Sequence, residues 1–181
     1  MGITINRDII PNLLSFLRLV LLVPILYFLN QDTLFSTCTA FVLFSIAGLT
    51  DFLDGYLARK WNTISTTGRI IDPLADKLLA GGVALYLVVV GKFPVWYCLL
   101  IIGRDIVILI SGLLLWKKTE IVASSNFIGK TTFTIIVFSL LAAILDIHYW
   151  ELILAPAGAL CILISLILYG ISGFRKLKGN G

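Results

Sequence analysis

Four aspartates, Asp51, Asp54, Asp72 and Asp76, lie within apolar stretches of a 181-residue chain that is 59% hydrophobic and carries ten acidic residues in all. An acid near a bilayer centre costs on the order of 3 kcal/mol or more even on lenient insertion scales, so it faces a polar cavity, a partner or an ion. Asp51 and Asp54 are three positions apart and Asp72 and Asp76 four apart, so on helices each pair projects from one face. The short connection between Arg59 and Gly68 makes the two helices antiparallel neighbours and brings all four carboxylates around a common point. Hard oxygen donors without clustered His or Cys suit Mg2+ best and Mn2+ second, with positions left open for water and substrate phosphates. A divalent ion or two would neutralise carboxylates that otherwise repel one another.

The elements that position these acids follow from composition. A mean hydropathy of +1.03 with 13% charged residues excludes an ordinary soluble domain and predicts an all-α, polytopic membrane protein. Apolar stretches near the ~20 residues a spanning helix needs fall at 12–29, 34–58, 70–91, 94–116, 127–146 and 150–172, which gives six transmembrane helices in a single domain, 1–181. Residues 1–11, with Arg7, Asp8 and Pro11 among isoleucines, read as a short interfacial segment. The first stretch carries Arg18 and runs straight into further spans, so it is expected to stay in the mature protein. Asn6 breaks the myristoylation pattern that Met1-Gly2 begins.

Basic residues concentrate at Arg7, Arg59, Lys60, Arg69, Lys117, Lys118, Lys130, Arg175, Lys176 and Lys178. That bias places both termini and the even connections in the cytoplasm. The net charge of +4 then describes a membrane face that attracts anionic lipid headgroups or phosphorylated substrates and requires no nucleic acid. Cys38, Cys98 and Cys161, without C-x-x-C spacing, read as small apolar packers.

Gly55 and Ala58 follow Asp54, and Gly68 precedes Asp72 by one helical turn. Small side chains there allow either a ligand or a neighbouring helix to approach the backbone. The stretch D51-F-L-D54-G55-Y-L-A58-R59 followed by G68-R-I-I-D72-P-L-A-D76 resembles the signature of the CDP-alcohol phosphotransferase family, D-x-x-D-G-x-x-A-R then G-x-x-x-D-x-x-x-D, at all eight fixed positions. The resemblance implies transfer of a substituted phosphate from a CDP-linked donor to an alcohol, with release of CMP and use of two divalent metals, Mg2+ or Mn2+. It implies that Asp51, Asp54 and Asp72 hold the metals and the donor diphosphate. Asp76 would complete the metal site and act as the base toward the acceptor hydroxyl, and Arg59 would pair with a donor phosphate. It also implies a homodimer in the bacterial cytoplasmic membrane, with the active site on the cytoplasmic side.

The opening IPNLLSFLRLVLLVP, residues 10–24, is similar to family branches that use CDP-diacylglycerol. Asn12 and Arg18 would reach the donor phosphates, or serve as a helix cap and a headgroup contact. Arg104 in the fourth span and Lys130 at the start of the fifth suit a second phosphate, as in glycerol 3-phosphate, with Arg104 as clamp and Lys130 as point charge. The alternative for Arg104 is a helix-stabilising ion pair with a site carboxylate; Asp105 is adjacent but about 100° around the helix. Gly103-Arg104-Asp105 is closer to the branch that uses phosphatidylglycerol, the cardiolipin synthases, whereas Lys130 fits glycerol 3-phosphate and thus the phosphatidylglycerophosphate synthases. From a different class, buried acids also build ion-coupled transporters and divalent-metal channels. Inverted repeats and broken helices, which mark many transporters, are not evident in the sequence.

His148 reads as an interfacial polar residue, and Trp96, Trp116 and Trp150 as anchors at span ends. Trp61 and Asn62 belong to the connection after the second span. Pro73 is placed to bend the third helix.

Overall fold

Long apolar runs separated by short polar or glycine-containing turns leave the backbone one economical solution, which is to satisfy its hydrogen bonds within helices. The computed structural model describes residues 9–61, 68–119 and 127–178, with side chains at 15–50, 74–110 and 128–171. Among them are six helices and no strand: α1 (Ile9–Leu29), α2 (Leu34–Trp61), α3 (Gly68–Val89), α4 (Val95–Thr119), α5 (Phe127–Ile144) and α6 (Trp150–Lys178).

The helix ends have local causes. Thr33 caps α2 reciprocally: its hydroxyl accepts from the Ser36 N–H at 3.2 Å, and its own N–H donates to the Ser36 hydroxyl at 3.0 Å. At the end of α5, Asp146 takes a left-handed conformation, φ 55°. The Ile147 N–H then reaches the Ala142 carbonyl at 3.0 Å and the Asp146 N–H reaches that of Ala143 at 3.2 Å, closing a Schellman turn. Gly91, φ 75°, follows α3 at no steric cost. Pro24 and Pro156 lie inside α1 and α6, where each removes one backbone bond and the flanking apolar packing carries the helix through.

Two expectations change at the boundaries. Helix α1 begins at Ile9, so Ile9, Ile10 and Pro11 belong to it and not to a separate interfacial segment. Pro11 lies in the first turn, where the backbone N–H groups have no helical acceptor to lose. Trp61 is the last residue of α2, not part of the connection; residues 1–8 and Asn62 lie outside the described residues. Helix α3 is continuous through Pro73.

The chain divides into two compact units, Met1–Val89 and Val90–Gly181. In the first, α1 packs on both α2 and α3. The four-residue turn at 30–33 makes α1 and α2 antiparallel, with Ile25, Ala40, Phe44 and Ala47 buried among them. Three rungs show that α1 and α3 run parallel: Arg18 meets Asp76, Leu22 lies against Gly82, where a Cβ would come within 3.1 Å of it, and the Tyr86 hydroxyl donates to Asn30 Oδ1 at 3.2 Å. Helices α2 and α3, expected as direct antiparallel neighbours, each pack on α1 instead among the described residues.

In the second unit α6 packs on both α4 and α5. Phe93 stacks on Trp150 at 5.0 Å, and a Cβ on Gly158 would overlap the Tyr97 ring and hydroxyl. These contacts rise in the same order along α4 and α6, so the two are parallel. Tyr97 meets Ser139 at 3.4 Å and Arg104 meets Gly129 at 3.3 Å, the reversed order of an antiparallel pair. Trp150 is therefore buried against Phe93, while Trp96 is half exposed; the Trp116 side chain lies outside the described residues. His148 is exposed, edge-on to Tyr149. The cysteines are free, with Cys98 buried and Cys38 exposed.

An apolar core also holds several polar groups, and much of the outer surface is apolar as well. Ser15, Arg18, Arg104, Asp105, Thr132, Ser139 and Ser165 are buried, whereas Val23, Leu99, Leu152 and Ile167 are among many apolar residues left exposed. One described segment, Trp150–Ile171, is long and apolar enough to cross a membrane, and shorter apolar stretches occupy Ser15–Leu29, Leu34–Thr50 and Ile128–Ile144.

Candidate active site

Helix geometry sets the level of each motif residue in the first unit. At 1.5 Å per residue from the 30–33 turn, Asn12 lies about 26 Å down α1, and Asp51 and Asp54 about 26 and 30 Å down α2. Measured from the Tyr86 rung on α3, Asp76 lies about 15 Å, Asp72 about 21 Å and Gly68 about 27 Å along the same direction. All four acids thus occupy the part of the unit from its middle to the end remote from the turn, with Gly55, Ala58 and Arg59 continuing α2 beyond them. The side chains of Asn12, Asp51, Asp54, Ala58, Arg59 and Asp72 lie outside the described residues, as do the surroundings of Gly55 and Gly68.

Asp76 is the motif acid whose side chain is described. Its Oδ1 is ion-paired with Nη1 of Arg18, across 58 residues of sequence. The Arg18 side chain is 1% exposed and that of Asp76 18%. A buried guanidinium requires a counter-charge, since removing a partner from such a pair costs several kcal/mol. Arg18, expected to reach donor phosphates, is thereby held against the motif itself. By residue type the four carboxylates on α2 and α3 would suit Mg2+ or Mn2+ as hard oxygen donors; among the described residues no three such side chains gather, and Asp76 Oδ1 is held by Arg18.

The second unit holds the other buried arginine. Arg104 is 5% exposed; its Nη1 donates to Asp105 Oδ1 at 2.8 Å and its Nη2 to the Gly129 carbonyl at 3.3 Å. The long guanidinium stem folds back to the neighbouring carboxylate and spans the 100° between the two positions. The second contact brings Arg104 to the turn of α5 that carries Lys130, which is exposed. Arg104 thus reaches the residue before Lys130, while the Lys130 side chain itself is exposed.

Sequence reading assigns no role to Tyr97, Ser139 or Ser165, which the structure buries on the facing sides of α4, α5 and α6. Their only sequence signal is a polar group at seven-residue spacing from Arg104, Thr132 and Gly158, visible once the three helices are in register.

The chain belongs to a family of lipid-type phosphotransferases: residues 8–169 match the family model described as CDP-alcohol phosphatidyltransferase. The chain is 34% identical over 178 residues to a protein of Aquifex aeolicus named CDP-diacylglycerol–glycerol-3-phosphate 3-phosphatidyltransferase, covering 93% of this chain and 97% of the relative. Proteins of the same name from Bacillus subtilis and Rickettsia bellii are 33% and 31% identical, over 77% and 93% of this chain and 72% and 93% of theirs.

Proposed function

We propose that this protein transfers the phosphatidyl group of CDP-diacylglycerol to glycerol 3-phosphate, giving phosphatidylglycerophosphate and CMP. The observation that carries the proposal is similarity along nearly the whole chain to relatives of that name, together with a complete motif. The acceptor hydroxyl oxygen attacks the phosphatidyl phosphorus, a new P–O bond forms, the diphosphate P–O bond breaks, and CMP leaves. Asp76 takes the hydroxyl proton, positioned by Arg18. Asp51, Asp54, Asp72 and Asp76 hold Mg2+ or Mn2+, which when bound supplies charge neutralisation at the phosphoryl oxygens. Asn12 and Arg59 bind the donor phosphates, and Gly55, Ala58 and Gly68 let the cytidine approach the backbone. Arg104 and Lys130 bind the acceptor phosphate.

The many exposed large apolar residues support a protein with six spans in a bacterial cytoplasmic membrane, since apolar residues facing outward belong against lipid. The basic connections support cytoplasmic termini and active site, and a homodimer completes the proposal. Purified protein with Mg2+, CDP-diacylglycerol and glycerol 3-phosphate is expected to release CMP. A panel with phosphatidylglycerol, serine and inositol phosphate, read by mass spectrometry of the lipid product, identifies the acceptor. Failure to release CMP with any alcohol, accompanied by metal flux in liposomes, would establish a transporter instead.

A further inference from the structure

Helices α4, α5 and α6 carry two polar layers seven residues apart. Seven residues return a helix to within about 20° of the same face, about 10.5 Å along its axis. The first layer joins Tyr97, Ser139 and Gly158: the Tyr97 and Ser139 hydroxyls are 3.4 Å apart, and the missing side chain at Gly158 makes room for the Tyr97 ring. Seven positions on along α4 and α6, and seven back along the antiparallel α5, stand Arg104, Thr132 and Ser165. All three are buried, Ser165 at 2% exposure, and on α6 Ala155, Gly158, Ile162 and Ser165 form one buried face.

The first layer is closed and the second is not. Arg104 Nε and Ser165 Oγ are both fully buried without a hydrogen-bond partner. For Ser165 this departs from the behaviour of other helical hydroxyls here: Thr39, Ser45, Thr134 and Ser139 each donate to the carbonyl four residues back, at 2.8 to 3.0 Å. The Thr132 hydroxyl donates to the Ile128 carbonyl of its own helix at 2.7 Å and lies 3.3 Å from the Cys161 carbonyl, the one four residues before Ser165. Ser165 makes no such bond, and its hydroxyl stands at the level of an arginine with an unused donor. Two orphaned buried donors at one level are costly until acceptors complete them, and the several oxygens of a phosphate can serve both.

We infer that Ser165 is a further ligand-binding residue: its hydroxyl and Arg104 Nε–H donate to phosphate oxygens of the acceptor, in the buried layer they share with Thr132. The inference rests on the acceptor reading above. It is tested by thermal unfolding and steady-state kinetics on the purified full chain, with glycerol 3-phosphate and, separately, inorganic phosphate as probes. Ser165→Ala and the near-isosteric Ser165→Cys are expected to keep or raise the ligand-free melting temperature and to lose most of the phosphate-induced upshift. Both should raise the KM for glycerol 3-phosphate about tenfold or more, as for a lost hydrogen bond to a charged group, leaving that for CDP-diacylglycerol unchanged. An unchanged upshift and KM, or a lower ligand-free melting temperature in both variants, overturns the inference while CMP release still supports the enzyme. If the wild type responds to inorganic phosphate but not to glycerol 3-phosphate, and Ser165→Ala abolishes that response, the acceptor assignment falls and Ser165 stands. A wild type that responds to neither overturns both.

Discussion

Among the described side chains each compact unit buries one arginine, and the two are paired in opposite ways. Arg18 on α1 reaches a different helix, where it holds Asp76 of α3. Arg104 on α4 is neutralised by the next residue of its own helix, Asp105, and touches α5 only through a backbone carbonyl. The first pair ties two helices together, so its loss removes both a counter-charge and a packing rung. The second is a neutralised cation that ties its helices more loosely, so a ligand can engage it without dismantling the unit. Burial alone does not distinguish a structural ion pair from a binding group; the address of the counter-charge does.

The sharpest way to break this contrast is at Asp76. Asp76→Asn is expected to abolish CMP release and to destabilise the protein by about 3 kcal/mol or more, because the 1% exposed Arg18 loses this counter-charge. Arg18→Met should cost less, since the Asp76 carboxylate is partly exposed and can hydrate. The double variant should regain much of the stability lost by Asp76→Asn but none of the activity. Melting temperatures of the three variants in one detergent give the coupling, and additive losses would mean that the pair does not join α1 to α3.

A smaller effect on stability, but a selective one on kinetics, is expected at Arg104. Arg104→Ala should raise the KM for glycerol 3-phosphate about tenfold to a hundredfold, in line with a lost charge-assisted bond, with little change for the lipid donor. An equal rise for both substrates would move Arg104 out of the acceptor site and make it a structural residue like Arg18.

Much of this arrangement is legible in the chain. Six apolar runs bounded by turn residues locate six helices to within a few residues, because helix existence is written in local composition. The motif acids are legible because their spacing is itself the signal. The Arg18–Asp76 pair is not: the partners are 58 positions apart, and their meeting depends on α1 lying parallel to α3. Asp105 as the partner of Arg104 is hidden for the opposite reason, since adjacent helical residues ordinarily diverge and only a long, flexible side chain folds back. Ser165 looks like filler in an isoleucine-rich helix until its hydroxyl is seen to be buried without a partner at the level of Arg104.

The comparison has a lower bound at the surface of the second unit, where Lys92 Nζ lies 3.3 Å from Asp146 Oδ2 with the Asp146 side chain 71% exposed. Solvent screening leaves such a pair worth about 0–1 kcal/mol, so Lys92→Ala should change stability by no more than about 0.5 kcal/mol. Asp146 has a second role, because its left-handed backbone closes the Schellman turn of α5. Asp146→Gly loses the pair but relieves the left-handed strain, and its extra chain entropy offsets part of that relief, for a net change within about 0.5 kcal/mol. Asp146→Ala loses the pair and places a less tolerant residue in the left-handed region, so it should cost about 1 kcal/mol. The order Ala below Gly in melting temperature would show that backbone conformation, and not the ion pair, sets the value of this position. The reverse order would give an exposed pair the kind of weight argued here only for buried ones.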